Sequence, residues 1–137
     1  MTTIYIEIIK KLIQSYFNME NGEQIEHQTE LLQIHPEYPL FISRRSLKHF
    51  VENRKKELVG KYDTDHILNR LFFIIDNVIE TFNSHDNIVI QANSRIVYSK
   101  KPLNHPQYSI RIVVDKIDSR LEICSIHLQK SKKLPQG

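Results

Sequence analysis

Residues 44–61 are RRSLKHFVENRKKELVGK, a stretch that combines helical apolar spacing with concentrated positive charge. Leu47, Phe50, Val51, Arg54 and Leu58 recur at helical spacing, which predicts one amphipathic helix with that stripe turned inward. Ser43 stands where a hydroxyl can accept a backbone N–H of the first turn, and Gly60 supplies the stop. Seven lysines and arginines face only Glu52 and Glu57 over the stretch, so the helix is strongly positive. His49 falls about 200° around the helix from Leu47, beside the inward stripe and among basic neighbours.

Upstream, Ile4, Ile8, Ile9, Leu12, Ile13, Tyr16 and Phe17 mark a second amphipathic helix, capped at Thr2 or Thr3 and stopped by Asn21-Gly22. Residues 26–34 read either as a short helix burying Leu31 and Leu32 or as an irregular strand. His35-Pro36 and Tyr38-Pro39 force extended backbone, so 35–40 is a loop feeding a short extended piece, Leu40 to Ile42. Downstream, apolar residues from Ile67 to Phe82 cover more than half a circumference and predict a central buried helix beginning at Asp63 or Thr64. His66, in its first turn, is expected to face solvent or cap.

Beyond Asn87 the period changes from 3.6 to 2. Ile88–Ile90 and Ile96–Tyr98 flank Ala92-Asn93 as one hairpin; Tyr108–Asp115 and Arg120–Gln129 form a second, with a proline-marked loop at 101–106 between them. Helices followed by strands argue for an α+β fold, with about three N-terminal helices on one face of an antiparallel sheet of about four strands. The length suits a single domain over 1–137: an acidic helix and loop at 1–39, a core at 40–130 and a basic tail at 131–137. A turn at Lys116 to Ser119 sets Val114 opposite Leu121, Ile112 opposite Ile123, Ile110 opposite Ser125 and Tyr108 opposite His127. That register gathers Ser125, Tyr108 and His127 on one sheet face and leaves Arg111, Val113, Ile126 and Leu128 on the other.

Composition excludes several classes. Lys10, Lys11 and Asp76 interrupt the candidate membrane spans, and the N-terminus lacks a secretory pattern, so a cytoplasmic protein without membrane attachment is expected. Cys124, the sole cysteine, has no disulfide partner and reads as an inert strand thiol. No histidine pair carries zinc-ligand spacing, and there is no glycine-rich phosphate loop, so neither metal nor cofactor is expected. Positive charge is concentrated in 44–61 and 83–137, separated by acidic segments, a pattern suited to a polyanionic partner if the blocks meet.

The remaining chemistry is metal-independent acid–base work. His49, His127, Ser125 and Arg111 are the candidate catalytic residues, since cleavage through a 2′-hydroxyl needs a base, an acid and a cation at phosphorus. Arg45, Lys48, Arg95, Tyr98, Lys100, Lys101 and Tyr108 are the candidate substrate contacts. Each also has a plain structural role: His49 as a surface histidine, and Arg111 as a cross-strand partner of Glu122. Two other classes remain: a non-catalytic nucleic-acid-binding module that holds phosphates through the two basic blocks, and a structural or effector-type interaction domain that uses the apolar second sheet face to pair with a partner or with itself as a homodimer.

The order of parts resembles the barnase–EndoU–colicin–RelE-like ribonuclease superfamily, particularly its phage and toxin branches. The likeness lies in the Leu-Lys-His-Phe-Val turn (47–51), the long apolar helix after it, and two closing hairpins ending in Ser-Ile-His (125–127), over about residues 40–130. It implies a metal-independent enzyme acting on RNA, held in check by a cognate inhibitor protein. His49 would take the helix-histidine role, Ser125 the strand alcohol, and Arg111 or Arg95 the phosphate-holding cation.

Overall fold

The computed structural model describes residues 2–18, 29–35, 37–101 and 108–130. The expected stop at Asn21-Gly22, most of the proline-marked loop and the tail at 131–137 lie outside the described residues, as do the Thr2 and Thr3 side chains. In chain order the elements are α1 (Thr2–Asn18), β1 (Leu31–Gln33), β2 (Leu40–Ser43), α2 (Arg44–Leu58), α3 (Thr64–Asp76), α4 (Val78–Asn83), β3 (Asn87–Ile90), β4 (Ile96–Lys100), β5 (Tyr108–Ile117) and β6 (Arg120–Lys130).

The fold is α+β, but the sheet has six strands rather than four, in the order β1-β2-β6-β5-β4-β3. The two added strands, of three and four residues, are too short to show a period in sequence. They pair antiparallel with each other, and β2 then pairs parallel with β6, setting Leu40, Phe41 and Ile42 opposite Leu121, Glu122 and Ile123. The sheet is therefore mixed. At its far edge β3 is exposed along its whole length.

α2 begins and ends as its sequence implies. Ser43 is extended, and its hydroxyl accepts the Ser46 N–H at 3.1 Å; Gly60, with φ +87°, follows the last turn. Leu47, Phe50, Val51 and Leu58 are buried. The predicted long helix is instead two, α3 and α4, broken at Asn77. The Asn77 side-chain amide donates to the Phe73 carbonyl at 2.9 Å, competing with the backbone ladder at that point.

One apolar cluster joins all layers. Ile9, Ile13 and Phe17 of α1 belong to it, with Leu40 and Ile42 of β2, Leu71, Ile74 and Ile75 of α3, and Ile110, Ile112, Val114, Ile123 and Ile126 of the central strands. Each fully buried aliphatic side chain contributes about 1.5–3 kcal/mol relative to exposure. Ile34, just after β1, belongs to it as well, so α1 and the residues around β1 share the core with the rest of the described chain.

The β5–β6 register corrects the expectation. Ile117 pairs with Arg120 across a two-residue turn, Asp118-Ser119, in which Asp118 takes φ 54°, a left-handed value that aspartate tolerates. Val114 then pairs with Ile123, but Val113 pairs with Ser125, so Cys124 is a bulge. The extra residue reverses the alternation: Ile126 and Leu128 turn to the helix-covered face, while Ser125 and His127 join Val113 and Arg111 on the other. Tyr108, paired with Lys130, shares the face of Ile110 and lies away from His127.

His35, 3% exposed, ties the β1 end of the sheet to α4. Its Nδ1 accepts the Glu37 N–H at 3.1 Å, which puts the ring proton on Nε2, donated to Asn83 Oδ1 at 2.8 Å. His35→Ala strands both partners and leaves a void against Tyr38 and Phe82. Urea denaturation should show it less stable by about 2 kcal/mol.

Candidate active site

Because β2 runs parallel to β6 and passes into α2 at Ser43, the helix continues alongside the part of β6 that β2 leaves unpaired. Helical spacing brings Ser46, His49, Asn53 and Arg54 to the side facing that strand. They meet the bulge and the residues after it, so Ser46, His49, Phe50, Asn53 and Arg54 line one small hollow with Cys124, Ser125, Ile126 and His127. It adjoins a wider hollow of about 350 Å³ bordered by Arg45, Ser46, Lys48, His49, Glu52 and Cys124.

Three candidate catalytic side chains therefore surround one space. His127 Nε2 lies 3.0 Å from Ser125 Oγ. Partial burial lowers the His127 pKa below the ordinary imidazole value, and the Arg54 and Arg111 charges lower it further, against a smaller opposing effect of Glu57. The neutral ring is thus favoured, as a proton acceptor requires. His49 is solvent-accessible at the junction of the two hollows.

Arg54 was legible only as a member of the inward stripe, yet its guanidinium-bearing side chain lines the hollow that His49 and His127 share. Its side chain is 12% exposed, Nη2 pairs with Glu57 at 3.0 Å, and the buried Nε has no partner among the described residues. A guanidinium at an otherwise apolar stripe position was the signal available in sequence. Asn53 and Ser46, also on this wall, carried none.

The other candidates divide. Arg45 and Lys48 border the wider hollow, Lys48 lying 3.5 Å from Glu52. Arg111 is cross-strand from His127 and donates to Gln129 Oε1 at 3.4 Å; the partner of Glu122 is Arg120. Arg95 is paired with Asp115 at 3.1 Å. Asp115 also accepts the Cys124 thiol at 2.9 Å, and burial with this carboxylate pushes the thiol pKa up to about 11, which makes it a poor nucleophile.

Four proposed contacts are not brought to the site. Tyr98 is buried against Phe82 and His85 on the face of Ile112. Lys100 Nζ donates to the Ser84 carbonyl at 2.7 Å, and the Lys101 N–H donates to Asp86 at 2.8 Å, both near the end of α4. Tyr108 lies under Arg70. Alternation along β4 and the bulge in β6 send these side chains elsewhere.

Among the described residues no group of three or more His, Cys, Asp or Glu side chains is placed to hold a metal ion, and no helix is long and apolar enough to cross a membrane. An α+β domain with a histidine-lined, cation-rich hollow is the class that fold and geometry define. Comparison with protein-family models, curated proteins and solved structures finds no match.

Removing the Arg111 charge by Arg111→Gln should raise the His127 pKa toward the ordinary imidazole value, read by NMR titration of the ring protons. Since folding lowers this pKa, the unfolded chain binds more protons between the two values. The His127 contribution to stability therefore falls as pH drops from the ordinary imidazole value to the folded pKa, then levels off. His127→Gln should flatten that slope in pH-dependent denaturation.

Proposed function

We propose that this chain is a metal-independent ribonuclease of the barnase–EndoU–colicin–RelE-like type, cleaving RNA by transfer of its own 2′-hydroxyl to phosphorus. The single observation that carries the reading is the shared hollow in which α2 presents His49 and Arg54 to Ser125 and His127 of β6.

In this mechanism the neutral His127 ring accepts the 2′-hydroxyl proton as O2′ attacks phosphorus. His49, in its protonated form, gives a proton to the departing 5′-oxygen. The phosphorus–O5′ bond breaks, leaving a 2′,3′-cyclic phosphate and a free 5′-hydroxyl. Ser125, within hydrogen-bonding distance of His127, orients the imidazole. Arg54 bears on the negative charge that grows on the phosphoryl oxygens, in a partly desolvated setting where a fixed cation counts for more than it does in water. Lys48 and Arg45 hold flanking phosphates across the wider hollow. The resemblance extends the proposal to a toxin restrained by a cognate inhibitor covering this basic surface.

Incubation of purified protein with RNA in excess chelator should give fragments ending in 2′,3′-cyclic phosphate. His49→Ala and His127→Ala should each lower kcat/KM about a hundred- to ten-thousand-fold, with Tm nearly unchanged for the exposed His49. Salt-dependent RNA binding with no cleavage would replace this reading by that of a binding module.

A further inference from the structure

A second cluster, outside the hollow, is built from side chains that the proposed chemistry does not use. Tyr62, His66 and Arg70 follow one another at four-residue spacing into and along α3. The Tyr62 and His66 rings stack face to face, centroids 4.2 Å apart and planes 14° from parallel. Arg70 continues the ladder, its guanidinium carbon 5.8 Å from the Tyr62 ring centroid and 5.4 Å from that of Tyr108, whose hydroxyl accepts from Arg70 Nη2 at 3.4 Å. Tyr62 is 44% exposed and His66 is exposed beside it, with Val59 and Lys61 bared at the same bend. No carboxylate among the described residues forms an ion pair with Arg70.

Two elements link the ladder to the candidate site. The Leu58 carbonyl, one helical turn beyond Arg54, accepts the backbone N–H of both Lys61 and Tyr62. On the sheet, the Tyr108–Lys130 pair lies three positions, about 10 Å, beyond the Arg111–His127 pair, with Tyr108 on the face opposite His127, so a strand running from ladder to hollow passes around the sheet edge. Flat aromatic faces interleaved with a guanidinium suit an unpaired base, which presents a π-face whatever its identity. A duplex keeps its bases stacked inside and offers none.

We propose that Tyr62, His66, Arg70 and Tyr108 form a stacking platform for unpaired bases, so that the substrate is single-stranded RNA with its scissile phosphate in the α2–β6 hollow and a neighbouring base on the ladder. The substrate role rests on the nuclease reading; the binding role is measured without it. Tyr62 and His66 receive the base, and Arg70 holds the Tyr62 and Tyr108 rings in register while keeping its charge toward the phosphates.

The test uses the full chain and a fluorescein-labelled single-stranded RNA carrying 2′-O-methyl groups, which cannot be cleaved, with affinity read by fluorescence anisotropy at fixed salt. Tyr62→Ala with His66→Ala should weaken binding about tenfold or more, as expected for losing one stacked base. Tyr62→Phe with His66→Phe should stay within about twofold of wild type. Affinity for a labelled RNA duplex should be the same in all. Wild-type affinity for the single strand in the double alanine variant overturns the platform, as does equal weakening on the duplex. If wild type fails to cleave natural RNA while the alanine variant still loses single-strand affinity, the platform stands and the nuclease reading falls.

Discussion

The short parallel pairing of β2 with β6 governs what the rest of the molecule can do. Three residues, Leu40 to Ile42, lie against Leu121 to Ile123, and two of them are buried in the common core. Because the chain leaves this pairing at Ser43 and is capped at once into α2, the helix must travel beside the remainder of β6. A basic helix that would otherwise be a solvated surface rod thereby becomes one wall of a hollow. Without that pairing His49 would have no partner across from it.

The other wall depends on one residue. With uninterrupted alternation, Ser125 and His127 would fall on the face of Ile123, which is buried. The bulge at Cys124 turns both outward, beside α2 and across from Arg111, and returns Ile126 to the core. The same bulge sets the Cys124 thiol against Asp115, where it stays protonated. Burial and the flanking guanidinium groups of Arg54 and Arg111 then favour neutral His127. Charge, register and packing at this point are consequences of the same added residue.

Much of this was legible in the sequence. α2 showed its buried stripe, its cap and its stop, and both C-terminal hairpins announced themselves by alternation. His49, Ser125 and His127 were singled out by residue type and by their place at element edges. The rest was hidden for physical reasons. β1 is shorter than any periodicity, and although Leu40 to Ile42 read as extended, the partner of that strand lies far away in sequence. The bulge has no glycine to mark it, so the predicted register set Tyr108 beside His127 when the two occupy opposite faces. Tyr98 and Lys100 looked like surface groups of a basic hairpin, but alternation on β4 turns Tyr98 into the core and brings Lys100 to the end of α4. Arg54 was read from spacing as a member of the buried stripe and is partly buried, but spacing could not show that it borders the same space as two imidazoles.

In the proposed mechanism the imidazoles of His49 and His127 serve one phosphate. Titration with a non-hydrolysable dinucleoside phosphonate, followed by NMR of the histidine ring protons, measures this directly. Both rings should shift together along one binding curve with a single Kd, while the buried His35 ring stays still. Movement of only one of the two rings, or separate curves for each, would contradict a shared site.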